Sequence, residues 1–435
     1  MSKLTGKDSA LISRNDARDF VRNNAHLAAN FARDFLAATR LSRLANEHKN
    51  SSRSVRVAFL LQYPKIWDKL EDVYEEMWKD ERFEPVLVAL PDPSVRGWDD
   101  VPIGDMSHDS EEYCAQRYSD RIVVRAETND ARVLDIHALG FDYVFYQRPY
   151  DSKLPKEYRS KYVSRWSRVC YMPYGYNLSP SFERMQVENT AFVRNTCLLF
   201  CESRSLKTLF DDRYRKTLGN RHRHFVYCGY PVLRKYLELG LAEWNSKCKK
   251  VLWTPRWSFD SDTGGSHFLE YVNNIKSLAC SGFKVMVRPH PLMWSNLIES
   301  GLMDKKEIDS CIESLRDSGC ILSESDDCLI DFAWSDVIIA DYSSITLEYF
   351  LTGRPMIYCP PPFALNNTME RLAEGMYVAH SWHEVKGYLD LLQNGYDPKK
   401  LIRNSIVREE FADVYDAAKR IVDRVYEDYA QHFTD

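Results

Sequence analysis

The 435-residue chain contains no C-x2-C pair; its closest cysteines are Cys197 and Cys201. Zinc-ribbon and thioredoxin-type motifs are thereby disfavoured. The eleven cysteines are scattered and odd in number, which reads as reduced, cytosolic thiols. No apolar run approaches the length of a spanning helix, roughly 18 residues or more. The opening stretch, MSKLTGKDSALISRND, has no apolar centre of the kind a signal peptide needs. These absences predict a cytoplasmic protein, or one peripheral on the inner face of the cell membrane. A charge excess is missing too: 58 basic against 63 acidic side chains leave a net charge of −5. A general nucleic-acid binder carries a basic excess, so no nucleic-acid partner is expected. Neither G-x4-G-K-[ST] nor G-x-G-x-x-G occurs, and both the P-loop and the dinucleotide fingerprint lose support. No repeat of fixed 20–50-residue period is visible.

What is present is globular: 44% hydrophobic, 28% charged and 13% aromatic residues, enough for sizeable cores. Residues 1–50 read as a helical N-terminal extension with nine basic against five acidic side chains. It packs on the body or a dimer partner, giving a homo-oligomer, or lies as a basic amphipathic helix on anionic lipid. Strand–helix alternation begins at Val55–Leu61, a nearly continuous apolar run suited to a strand buried on both faces. Ile66, Leu70, Val73, Tyr74, Met77 and Trp78 then repeat at helical spacing. Further strands are expected at Pro85–Leu90, Tyr143–Gln147, Val169–Met172, Leu198–Cys201 and Phe225–Cys228. The polar stretch Asn245–Lys250 punctuates the chain. A second alternation follows with strands at Val251–Thr254, Lys284–Val287, Ile321–Leu322, Val337–Ala340 and Met356–Cys359. A terminal helix is expected from about Ser405 to Phe433. The fold class is α/β: two Rossmann-like domains, 51–245 and 246–405, facing a cleft, with a C-terminal helix over 406–435. Ligands of such sheets sit beyond the carboxyl ends of strands, which directs attention to the residues after each strand.

The segment Val337-Ile-Ile-Ala-Asp341-Tyr-Ser343-Ser344 runs from a buried strand into a helix start. Free backbone N–H groups, the helix dipole and two hydroxyls suit a phosphate or diphosphate there. Glu348, one turn on, is placed to accept bonds from ribose hydroxyls. The plainer alternative is an ordinary serine N-cap. Arg288 and His290, in R-P-H-P, follow a strand directly and should face the cleft. There the imidazole can donate a hydrogen bond or act as acid or base; otherwise it is a structural histidine in a proline turn. Arg256, in T-P-R-W, offers a planar fork for phosphate oxygens, or a surface ion pair. In the first half, Met172-Pro-Tyr174-Gly175-Tyr176 permits close approach of a ligand at Gly175, or is a tight aromatic turn. His380 and His383 have no further ligand near them, so no metal is expected.

Taken together, Asp341-Tyr-Ser-Ser with Arg354-Pro355, Arg288-Pro-His-Pro, Thr254-Pro-Arg-Trp and Gly229-Tyr-Pro231 resemble the CDP-glycerol glycerophosphotransferase family of teichoic-acid and capsule polymer enzymes. The Trp67–Pro85 segment and FDYVFYQRPY (Phe141–Tyr150) share in the resemblance, which spans about residues 55–405. It implies a GT-B fold, a cytidine nucleotide donor in the second domain, and an acceptor polymer or lipid-linked sugar held partly by the first. It also places His290, Ser343 and Ser344 in the donor phosphate site. The sequence departs from the family at its first-half His-Gly pair, which reads Tyr174-Gly175 here. A neutral phenol, with a pKa near 10, is a poor base at pH 7. It also has Ser258, not Arg, after Trp257.

The expected activity is transfer of glycerol phosphate or ribitol phosphate from a CDP-linked donor to an acceptor hydroxyl, with CMP leaving. No cofactor beyond the CDP-linked donor is implied, and activity is expected to be insensitive to EDTA. In this reading Arg256, Arg288, Asp341, Ser343, Ser344 and Glu348 hold the donor. His290 and Tyr174 sit at the chemistry, and Gly175 and Tyr176 meet the acceptor. Two alternatives keep the fold: a nucleotide-sugar glycosyltransferase of capsule or lipopolysaccharide synthesis, and a non-catalytic nucleotide-binding subunit.

Overall fold

The computed structural model describes residues 54–94, 96–128, 132–188, 190–215, 223–240, 247–260, 264–325 and 327–433. The helical extension expected over 1–50, with its lipid and dimer readings, lies outside the described residues.

Two all-parallel sheets are present. The first holds β1 (Val55–Leu61), β2 (Phe83–Ala89), β3 (Val123–Arg125), β4 (Tyr143–Tyr146), β5 (Arg168–Tyr171), β6 (Thr196–Phe200) and β7 (His224–Val226), in the order β3-β2-β1-β4-β5-β6-β7. The second holds β8 (Lys250–Thr254), β9 (Lys284–Val287), β10 (Ile321–Leu322), β11 (Val337–Asp341), β12 (Met356–Cys359) and β13 (Tyr377–Val378), in the order β10-β9-β8-β11-β12-β13. Each order runs outward from the first strand and reverses after the third, the doubly wound pattern. The α/β class and the paired Rossmann-like sheets expected from the sequence are what the structure shows.

The central strands are apolar on both faces because helices cover both. In β1, Val57, Ala58, Phe59 and Leu61 are fully buried, with Phe59 stacked on Phe145 of β4 at 4.8 Å. The helix Asp68–Trp78 seals one face with Leu70, Val73, Tyr74 and Met77. Trp78, expected in that stripe, is partly exposed and lies under the Arg121 guanidinium.

One apolar cluster joins the lobes, from Phe59 and Phe145 through Tyr230 and Tyr236 to Leu252, Ile338 and Leu347. Ring pairs cross the seam at Phe182–Tyr342 and Tyr236–Phe332. Asn366 crosses it with two hydrogen bonds, N–H to the Leu178 carbonyl and Nδ2 to the Asn177 carbonyl.

The expected unbroken terminal helix is interrupted. Helix Lys400–Glu410 ends at buried Phe411, a single turn covers Ala412–Val414, and a second helix runs over Ala417–Phe433. The break seats the Asp413 carbonyl against Gly229, whose φ is +87° and where an added Cβ would lie only 2.8 Å from that oxygen. The last helix then returns to the first sheet. Fully buried Asp428 takes two bonds from Arg168, at 2.6 and 2.7 Å, and one from the Tyr143 hydroxyl at 2.6 Å.

Candidate functional site

In the second sheet the winding reverses between β8 and β11, so the crevice opens beyond Thr254 and Asp341. The Asp341 carboxylate is turned into the protein. One oxygen accepts the backbone N–H groups of Arg256 (2.9 Å) and His267 (3.0 Å); the other meets His267 Nδ1 at 2.7 Å. Burial pulls the His267 pKa down, but the bond to Asp341 and its charge outweigh this and raise it. Asp341 thus brackets three segments around the crevice: the end of β11, the loop after β8, and the start of helix Phe268–Cys280. The chain next reaches Tyr342, Ser343 and Ser344, where helix Ser344–Phe350 begins. The Ser343 N–H donates to Thr346 Oγ1 at 3.3 Å, and the Thr346 N–H returns to the Ser343 carbonyl at 3.1 Å. Ser344 is exposed.

Arg256 is buried, with its guanidinium donating to the Tyr342 carbonyl at 2.8 Å. It also lies over the rings of Tyr342 and Phe363. The predicted phosphate fork therefore braces the 341–344 turn and supplies its positive charge from behind. Arg288, expected to face the cleft, turns toward the loop after β10: its Nη1 reaches Asp331 (2.6 Å), Ser323 (3.1 Å) and the Ser325 carbonyl (2.8 Å). His290 does stand apart from such a brace. Its Nδ1 accepts the Leu292 N–H at 3.1 Å, so the ring proton sits on Nε2. Burial and the nearby Arg256 charge pull its pKa down to about 4, and at pH 7 it is a neutral hydrogen-bond donor. Glu348 is buried at the seam, 3.7 Å from Lys69 of the first lobe and within reach of Cys328 Sγ at 3.6 Å. Lys69 also pairs with Asp68, which pairs in turn with Lys235.

In the first lobe the Tyr174 hydroxyl bonds that of Tyr150 at 2.7 Å. Burial and the second phenol push the Tyr174 pKa upward, away from any role as a base at neutral pH. No atom lies within 4 Å of a Cβ built on Gly175, so the glycine leaves open space there. Tyr176 packs against Tyr230 and bonds Thr368 across the seam. A cavity of about 340 Å³ opens beside this loop, lined among others by Tyr150, Tyr174, Gly175, Asn177, Phe182 and Phe192. The structure thus gathers Arg256, Asp341, Ser343 and Ser344 in one crevice, with His290 held by the Trp257 ring beside it. It collects Tyr174, Gly175 and Tyr176 on the facing loop and sends Arg288 and Glu348 to ion pairs.

The sequence reading missed His267, the Asp68–Lys69–Lys235 group, and Glu202. His267 carried no signal, since it starts a helix after a loop. Glu202 did: it lies two residues past the end of strand β6. Two groups of potential metal ligands occur among the described residues, His267–Asp341–Cys359 and His108–Glu111–Glu127. In the first, His267 and Asp341 are hydrogen-bonded to each other; in the second, Arg125 is paired to Glu111 at 2.6 Å.

Residues 237–369 match the model of a family described as CDP-Glycerol:Poly(glycerophosphate) glycerophosphotransferase. The matched stretch contains Arg256, Arg288, His290, Asp341, Ser343, Ser344 and Glu348, and it bears out the resemblance read from those motifs. No curated protein matches the chain. Among solved structures, S. aureus MnaA, solved with UDP, is 12% identical and covers 87% of this chain and 97% of its own, with a TM-score of 0.51. A glycosyltransferase from Rickettsia africae is 11% identical and covers 87% of this chain and 99% of its own, at 0.50. The wall teichoic acid polymerase TagF is 15% identical over 97% of this chain and 99% of its own, at 0.47. The fold is GT-B-like.

Proposed function

We propose that this chain transfers a glycerol-phosphate or ribitol-phosphate unit from a CDP-linked donor to a hydroxyl of a surface polymer or lipid-linked acceptor, releasing CMP. One observation carries the reading: the family match falls on the stretch that builds the crevice of the second lobe, including Arg256, His290 and the 341–344 turn. The chemistry needs little covalent help. An in-line displacement at phosphorus depends on positioning and on charge stabilisation. Here the N–H groups and hydroxyls of Ser343 and Ser344 would meet the diphosphate, with the Arg256 charge behind them. His290 Nε2–H would donate to a phosphate oxygen, and Asp341 would hold the turn. Glu348 would take the ribose hydroxyls, exchanging Lys69 for them. Gly175 and Tyr176 would border the acceptor, and the transfer would run without a metal.

A second reading, a nucleotide-sugar glycosyltransferase, is favoured by Tyr174 standing where the resemblance expects histidine. A thermal-shift series with CDP-glycerol, CDP-ribitol, UDP-sugars and CMP-sugars separates the two, because a bound donor stabilises by mass action. The proposal expects a CDP-alditol to give the largest shift and to release CMP with a poly(glycerol phosphate) primer. A shift confined to UDP-sugars supports the second reading, and binding of nucleotide without turnover supports a non-catalytic subunit.

A further inference from the structure

Helix Pro180–Glu188 buries Glu183 and Val187 in the protein and turns Phe182, Met185 and Gln186, spaced by three and four, toward the cavity beside the Tyr174–Asn177 loop. An apolar stripe on a helix ordinarily faces a core. This one borders about 340 Å³ of open space, the size of a small-molecule site. Met185 is 65% exposed at that border, and Tyr150 is exposed beside it. Tyr171, Phe192, Val193, Leu199 and Phe210 form the depth, each at most 5% exposed.

None of the described residues that line the space is charged. Their polar groups are largely engaged within the protein. The Tyr150 and Tyr174 hydroxyls bond each other, the Tyr171 hydroxyl accepts the Tyr174 N–H, and Asn177 Nδ2 donates to Glu202. Gln186 Oε1 is buried without a hydrogen-bond partner, which leaves one acceptor for a donor on a ligand. This chemistry selects the occupant. A phosphate would lose its water here and meet no cation, and a sugar would bury several hydroxyls with little to answer them. A hydrocarbon segment gives up only its contact with water and gains from burial. The place ties the occupant to the reaction. Phe182 lines the cavity and stacks across the seam on Tyr342, at 6.5 Å, directly before Ser343 of the candidate diphosphate turn.

We propose that this cavity receives a hydrocarbon chain of the acceptor, joined a short distance from the hydroxyl that takes the alditol phosphate. This rests on the transferase reading above and narrows its acceptor to a lipid-linked one. Gln186 Oε1 accepts a hydrogen bond from the polar head to which the chain is joined.

The test follows CMP release by the full chain from CDP-glycerol, with glycerol phosphate or its hexyl, octyl and decyl phosphodiesters as acceptors, each below its micelle concentration. Wild-type kcat/KM should climb by up to about fourfold per added methylene and level once the space is filled. Met185→Glu sets a charge at the mouth on an exposed position. It should raise the KM for the decyl ester at least about 10-fold and leave those for glycerol phosphate and CDP-glycerol within about threefold. Val193→Phe fills the depth and should remove the dependence on chain length, with thermal unfolding reporting its fold. Calorimetry of the decyl ester without CDP-glycerol should show binding weakened at least about 10-fold in Met185→Glu. A wild-type series that varies by less than about threefold overturns the proposal, as does a chain-length dependence retained by Met185→Glu and by folded Val193→Phe. A glycosylated glycerol phosphate preferred over the decyl ester, with that preference lost in both variants, assigns the cavity to a sugar and also overturns it. Failure of wild type to release CMP from any CDP-alditol overturns the transferase reading. Calorimetry still decides the cavity in that case: decyl-ester binding weakened by Met185→Glu supports the hydrocarbon site, and unchanged binding refutes it.

Discussion

His290 shows what a single side chain reveals only in its surroundings. The sequence placed it after a strand and allowed it to be donor, acid or base. The Leu292 N–H on Nδ1 fixes the proton on Nε2, and burial with Arg256 holds the ring neutral. His290→Ala should therefore reduce CMP release at least about 100-fold, the loss of a positioned donor to developing charge, with a melting temperature near wild type. Because the ring's pKa is lowered to about 4, its contribution to stability is complete above the ordinary value of about 6.5 and is lost as pH falls through about 4. A melting-temperature series between about pH 7 and 4 should show the wild-type decline and a shallower one in His290→Ala. Asp341, a donor-site candidate expected to shape the turn, brackets three segments around it. Asp341→Ala leaves those donors without an acceptor and should cost roughly 3 kcal/mol in a denaturant titration; a cost under about 1 kcal/mol would contradict the bracket. The strand-end rule located these residues because it depends only on local pattern. It could not foresee that Arg288 would meet Asp331, a partner 43 positions away that only the fold brings close.

Among the elements, the buried parallel strands were legible because both faces are apolar, as in Val55–Leu61 and Val337–Asp341. The three-residue β3 and two-residue β13 escaped notice. Both are edge strands with too few buried positions to leave a run. The break in the terminal helix was equally hidden, since Phe411 continues the apolar pattern and the constraint comes from Gly229 in another segment. The last helix is tied to the first sheet by the buried Arg168–Asp428 pair, joined by the Tyr143 hydroxyl. Removing one partner leaves the other charge buried. Asp428→Ala should lower stability by about 3–5 kcal/mol and expose the last helix to limited proteolysis before the rest. A proteolytic pattern unchanged from wild type would show that this pair does not anchor the helix.

Across the whole molecule, one apolar core and a few polar bonds hold two doubly wound sheets mouth to mouth. The crevice of the second lobe faces the Tyr174–Asn177 loop of the first, through Asn366 and the Phe182–Tyr342 ring pair. No helix among the described residues is long and apolar enough to cross a membrane. In the proposed function this placement is what would seat the donor diphosphate, without a P-loop or a dinucleotide fingerprint. The turn is Tyr342–Ser344, with Arg256 behind it and an aromatic cavity opposite. The most direct measurement is a crystal structure of the full chain soaked with CDP-glycerol. The account predicts the diphosphate on the amides of Ser343 and Ser344, within hydrogen-bond reach of His290 Nε2. A nucleotide bound elsewhere, with those amides unoccupied, would contradict it.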